Sequence, residues 1–178
     1  ESRVFRHDPR DPTTISNNVV ICFAEDSRGG VWIGTGNGLN LFDEESGTFR
    51  RWGVKDGLPN PTIYGILEAP DGALWISTNM GLSRFDPRSE KFDNYDVSDG
   101  LPDNEFNSQS CFLGASGTMY FGGINGLTLF RPEEIRNSTL QPRLAVTNLL
   151  LLNRSVPVGP DADGRVLRLI HPAHFSAA

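Results

Sequence analysis

The sequence predicts an all-β chain of consecutive four-stranded antiparallel sheets, and three observations carry that prediction. Nineteen glycines and 12 prolines punctuate 178 residues, and β-branched and aromatic residues fill the stretches between them, the texture of many short strands joined by turns. A block of residues recurs at a spacing of 43: Trp32 and Trp75, Gly38-Leu39 and Gly81-Leu82, Phe42-Asp43 and Phe85-Asp86, Phe49 and Phe92, and Asp56-Gly57-Leu58-Pro59 and Asp99-Gly100-Leu101-Pro102. A third copy follows at a spacing of 45, with Tyr120 at the Trp position and Gly126-Leu127 at the Gly-Leu position. A period of about 40 to 50 residues is that of a β-propeller blade. The extra two residues of the third copy fall between Pro102 and Tyr120.

Taken in order, residues 1–15 read as the last strand of a preceding blade, Arg3-Val4-Phe5-Arg6-His7, and a proline-rich link. Residues 16–53 form the first complete unit, with strands expected at Val19 to Glu25, Val31 to Thr35, Leu39 to Phe42 and Thr48 to Trp52. Its turns, Arg28-Gly29-Gly30, Gly36-Asn37-Gly38 and Glu45-Ser46-Gly47, supply the Gly and Asn that tolerate positive φ in tight hairpins. Residues 54–96 and 97–140 repeat the unit. Val31-Trp32-Ile33 and Leu74-Trp75-Ile76 are apolar on both faces, as a strand sandwiched between two blades must be. Phe49-Arg50-Arg51-Trp52 and Phe92-Asp93-Asn94-Tyr95 mix polar with aromatic residues, as expected at a wetter rim. These positions order each blade from channel to rim and place Trp32, Trp75 and Tyr120 in the core. Residues 141–178 have another texture: Leu144 to Leu152 followed by Asn153 to Val158 reads as a β-hairpin opening a β-sandwich, with the boundary at Gln141-Pro142. Three units and one leading strand make a partial propeller, since closure takes about 4 to 8 blades.

A formal charge of −6 opposes nucleic acid or an anionic membrane as partner. The most apolar run, Leu149 to Leu152, is too short to cross a bilayer. The chain starts without Met or a leader pattern and stops without a closing element, so it reads as a piece of a longer polypeptide. Cys22 and Cys111 have no Cys or His at metal-ligand spacing and are expected to be free, buried thiols of inner strands two units apart. His7, His171 and His174 lie in terminal segments, away from the repeats, so no catalytic constellation, cofactor or metal site is expected. The Asp-Gly pairs at 56, 71 and 99, and Asp161 to Gly164, lack the further oxygen ligands of a calcium loop and read as turns.

The stretch Ala24 to Thr35 with Gly38 to Asp43, echoed by Asp71 to Thr78 with Gly81 to Asp86, resembles the two-component regulator propeller repeat. The connectors Asp56 to Asn60 and Asp99 to Asn104 are also typical of that family. The third unit resembles the blade that closes the array, and residues 141 to 158 resemble the entry into the triple-tyrosine β-sandwich that follows it. The resemblance implies the periplasmic sensor region of a two-component histidine kinase, a non-catalytic input module whose parent is anchored in the inner membrane. A purely structural or interaction propeller, or the sensor of a diguanylate cyclase, is the alternative.

Residues that break the repeat are the candidates for recognition, because features shared by all copies are architectural. Near the mouth of the inner strands these are Asn18 and Ile21, Thr62 and Tyr64, and Asn107 and Gln109. Asn18, Tyr64, Asn107 and Gln109 are the expected ligand-binding set, for an extracellular small molecule or carbohydrate. The other expected partners are neighbouring blades of the same protein, or self-association.

Overall fold

A computed structural model describes residues 2–135, together with the backbone of 149–151 and 154–156. Three antiparallel sheets follow one another along the chain. The first comprises β1 (Val20–Glu25), β2 (Val31–Thr35), β3 (Gly38–Asp43) and β4 (Thr48–Trp52), paired in that order. The second repeats it with β5 (Ile63–Glu68), β6 (Leu74–Thr78), β7 (Gly81–Asp86) and β8 (Lys91–Tyr95). The third has β9 (Phe106–Leu113), β10 (Met119–Gly123) and β11 (Gly126–Phe130), with β9 and β11 flanking β10.

The third unit departs from four strands. The positions equivalent to β8 begin at Arg136, so that strand falls outside the described residues. The chain divides into two compact units, Glu1–Arg136 and Asn137–Ala178. In the second, β12 (Leu149–Leu151) and β13 (Arg154–Val156) pair antiparallel, within the stretch expected to form a hairpin. The expected boundary at Gln141-Pro142, and His171 and His174, lie outside the described residues.

Sheets stack face to face through aromatic cores. Between the first and second lie Trp32, Leu39, Trp52 and Leu58 on one side and Ile63, Ile66, Leu74, Ile76 and Phe85 on the other. Trp75, Leu82 and Ala69 meet Phe106, Met119 and Phe121 between the second and third. Successive side chains of a strand point to opposite faces, so Leu74 and Ile76 look back while Trp75 looks forward, and all five residues of β6 are buried.

Tyr120 corrects the expectation. Trp32 and Trp75 are each 1% exposed, whereas Tyr120 is only half-buried. The same alternation explains why: Met119 and Phe121 face the second sheet, and Tyr120 faces the side on which a further sheet would pack. That side carries the exposed Phe112, Leu127 and Leu129. Residues 3–7 also differ, forming no strand. A strand needs a ladder partner, and the blade that would supply one is not in this chain. The segment instead packs on the outer face of the first sheet, where the Phe5 ring meets Phe42 and Phe49 edge-on at 5.1 and 5.5 Å.

The Gly-Leu motif has a geometric cause. Gly38 (φ +112) and Gly81 (φ +89) open β3 and β7 in the left-handed region, and a Cβ at either would collide with the carbonyl oxygen of Trp52 or Tyr95. Their amides donate to the next connector, to Pro61 O at 2.7 Å and Asn104 O at 2.8 Å. The leucines that follow, Leu39 and Leu82, fill the cores. The Asp-Gly pairs at 56 and 99 end 3₁₀ turns at Val54–Asp56 and Val97–Asp99. Their carboxylates accept from the amides of Gly53 at 2.8 Å and Asp96 at 3.0 Å, which is the turn chemistry expected of them.

Candidate functional site

The inner strands β1, β5 and β9 each carry a bulge at the same register. Val20 and Cys22 pair with Thr35 and Gly34, leaving Ile21 over, and Ile63 and Gly65 pair with Thr78 and Ser77, leaving Tyr64 over. In β9, Phe106 pairs with Gly123 and Cys111 with Phe121, so Asn107 to Ser110 all stand opposite Gly122. The two extra residues of the third unit are therefore spent in lengthening this bulge. Gln109 takes φ +55 there, a left-handed backbone that is uncommon for a non-glycine residue, and its Nε2 donates to the carbonyl of Ile21 at 2.8 Å.

The four expected recognition residues have separate surroundings. Gln109 straps β9 to β1. Tyr64 is half-buried and its hydroxyl accepts from Asn79 Nδ2 at 3.0 Å. Asn18 turns toward the entering segment, where its Oδ1 accepts from the His7 amide at 2.8 Å. Asn107 is exposed, and its side chain makes no hydrogen bond among the described residues. A cavity of about 260 Å³ is lined by Gln109, Ser110, Cys111, Phe112, Tyr120 and Leu127, without Asn18, Tyr64 or Asn107.

A larger cavity, about 630 Å³, lies beside the outer strand of the first sheet, walled by His7, Arg50, Arg51, Trp52, Lys55 and Glu90 among others. β4 positions Arg50 to Trp52, and the 3₁₀ turn after it positions Lys55. Glu90 reaches in from the β7–β8 turn, pairing with Arg50 and accepting from Trp52 Nε1 at 3.4 Å. Its φ is +57, at the position where the first unit has Gly47 at +70. Arg50 also lies over the Trp52 ring at 5.1 Å. Arg51 and Lys55 form no ion pair among the described residues. The signal for this cavity was present in the repeat: Arg50, Arg51 and Lys55 align with Asp93, Asn94 and Ser98. Both stretches are polar, but only the first is basic.

The two thiols are unsuited to nucleophilic work. Burial pushes Cys22 up to about 12, with Cys111 adding to the rise, against a backbone hydrogen bond from Gly34. Burial likewise raises Cys111, which is half-buried instead of buried as expected. A thiol held protonated is inert at neutral pH.

Consecutive antiparallel sheets, stacked through buried tryptophans with their first strands side by side, define an all-β propeller segment. Residues 14–37 and 57–80 match the two component regulator propeller family. Histidine kinase P4 of Formosa agariphila is 36% identical over 58 residues, which are 33% of this chain and 4% of that protein. Among solved structures, the extracellular domain of the hybrid two component system BT3049 from B. thetaiotaomicron matches with a TM-score of 0.67 at 30% identity, covering 82% of this chain and 21% of that one. The extracellular domain of BT4673 from the same organism shares the fold, with a TM-score of 0.56 at 18% identity over 77% of this chain and 26% of that one. The chain thus spans about a fifth of the first structure and a small part of the kinase.

Proposed function

We propose that this chain is part of the extracytoplasmic, ligand-sensing region of a two-component sensor histidine kinase, a non-catalytic input module in the periplasm. The observation that carries the reading is the match to the BT3049 extracellular domain over 82% of the chain. In this reading the ligand is an extracellular small molecule or carbohydrate, and neighbouring blades of the same protein cover the apolar faces left open here. Stacked blades make a stiff body, so binding at one place biases the arrangement of the whole input region.

The test uses the complete extracytoplasmic region and the full-length receptor. A ligand that binds only the folded state must raise the melting temperature with concentration, and the same ligand must change phosphorylation of the kinase. A ligand that raises the melting temperature without altering phosphorylation would count against sensing. A structural or interaction propeller is the second reading, favoured by the internal hydrogen bonds that occupy Asn18, Tyr64 and Gln109. Under it no small molecule shifts the melting temperature, and removing the propeller uncouples the domains that flank it. A diguanylate cyclase output would be consistent with the same input role and is distinguished by the sequence that follows this chain in its parent.

A further inference from the structure

The cavity beside β4 combines a size, a charge and a break in the repeat. At about 630 Å³ it falls within the range of small-molecule sites. Its acidic groups are already engaged: Glu90 is paired with Arg50, and Asp56 accepts from the Gly53 amide at 2.8 Å. Nearby Asp11 accepts from the Thr13 amide and hydroxyl at 2.8 and 2.7 Å, and the Arg51 charge acts on it without forming an ion pair. Arg51 and Lys55 are left as two cations without an ion pair among the described residues, on a chain whose net charge is −6.

Architecture does not require these cations. The second unit folds the same rim strand and the same 3₁₀ turn with Asn94 and Ser98 at the two positions. Glu90 is likewise an exception, since it holds a left-handed backbone at a site where the first unit uses glycine. Such a conformation is unfavourable for a side-chain-bearing residue. Its carboxylate reaches across to fix Arg50 and the Trp52 indole at one wall of the cavity.

We infer that this cavity is a binding site for a small organic anion, whose carboxylate or sulfate group is held by Arg51 and Lys55. Both groups present oxygen acceptors to the arginine fork and the ammonium. The inference deepens the sensing reading by naming a ligand class and a place, and it is tested by binding alone, so a failure to signal leaves it standing.

The experiment is isothermal titration of the full chain, and of the complete extracytoplasmic region, with sodium glucuronate, sodium sulfate and glucose at low ionic strength. The inference requires glucuronate or sulfate to bind and glucose not to. Glucuronate alone assigns a carboxylate ligand, and sulfate alone a sulfated one. The double variant R51N/K55S installs the residues that the second unit carries at these positions, and is expected to weaken anion binding at least tenfold with an unchanged circular dichroism spectrum. Glu90→Gly frees Arg50 and restores glycine to a left-handed position, so it should tighten binding. Binding of glucose as strong as that of glucuronate, binding of neither anion, undiminished binding by R51N/K55S, or weaker binding by Glu90→Gly would overturn the site.

Discussion

Asp26→Ala is the perturbation whose consequence the structure sets most closely. Asp26 is 8% exposed, and its carboxylate accepts from Trp32 Nε1 at 2.8 Å, Gly30 N at 2.8 Å and Arg28 N at 2.9 Å. Burial raises its pKa, but those three hydrogen bonds and the Arg28 charge together hold it below the usual carboxylate range. On truncation the Arg28 amide, on an exposed turn residue, and the Gly30 amide beside it gain access to water, whereas the Trp32 indole N–H stays buried. Leaving one buried donor unpaired costs about 1–3 kcal/mol, and losing the turn bonds adds about 1 kcal/mol. A loss of about 3 kcal/mol is therefore expected, equivalent to roughly 6–12 °C in melting temperature for a chain of this size. The second unit bounds the cost, because Ala69 stands where Asp26 would be and Trp75 Nε1 is buried without a hydrogen-bond partner among the described residues. The sign with pH follows from the depressed pKa. The contribution of Asp26 is complete above an unfolded value near 3.9 and is lost as pH falls through the lower native value. Denaturant titrations of the parent and D26A at pH 7 and near pH 3 provide the assay. A difference below about 1 kcal/mol at pH 7, the range of ordinary surface changes, or one unchanged at pH 3, would refute the reasoning.

Three further outcomes follow from single contacts. Ala69→Asp should supply the acceptor that Trp75 lacks and raise the denaturant midpoint by an amount worth about 1 kcal/mol, and a fall in the midpoint would contradict this. Gly72→Ala, at φ +83 with open space around the new Cβ, should lose only the left-handed backbone penalty of about 1–2 kcal/mol. Gly81→Ala should lose about 1–3 kcal/mol more, because its Cβ meets the Tyr95 carbonyl oxygen, and equal losses would show that the close approach is not limiting. Cys22 is protonated in the native state up to about 12, while an unfolded thiol releases its proton near 8.5. Its contribution to stability is complete below about pH 8.5 and is lost as pH rises toward 12. A thiol reagent at pH 8 should accordingly modify it only at the rate of unfolding, and rapid native-state labelling would argue against burial.

The parts of the fold that the residues foretell are those that every copy must solve alike. A strand pressed between two sheets needs apolar residues on both faces, and Leu74-Trp75-Ile76 shows them. A turn crossed closely by the following connector needs glycine, and Gly38 and Gly81 provide it. What escaped the reading depends on spatial neighbours. Nothing local tells Tyr120 from Trp75; the difference is whether another sheet lies beyond. Arg3 to His7 has the composition of a strand and no partner to pair with. Of the four candidate recognition residues, Asn18, Tyr64 and Gln109 are tied into the frame by hydrogen bonds to His7, Asn79 and Ile21, partners that sequence proximity does not reveal. Glu90 meets Arg50 across 40 residues of sequence, a contact that no window of the chain contains.

Comparing copies at one register separates frame from site more sharply than polarity does. Where the units agree, as at Trp32 and Trp75, the residue serves the stack: a buried tryptophan removes about 150–250 Å² from water, worth a few kcal/mol by transfer, and a substitution there weakens the whole body. Where they disagree, the frame has shown that it tolerates both residues, so the difference is free for another purpose. Asp26 against Ala69 is a disagreement inside the core, and its effect is on stability. Arg51 and Lys55 against Asn94 and Ser98 is a disagreement on the wall of a cavity, and substitutions there are expected to leave the stack intact. Glu90 links the two kinds: it belongs to the second sheet, yet its carboxylate fixes Arg50 and the Trp52 indole of the first. An anion drawn to Arg51 and Lys55 would compete with Glu90 for the field of Arg50. Occupancy of the cavity would then alter a contact between two blades, and under the proposed sensing role that contact is where binding would be passed along the stack.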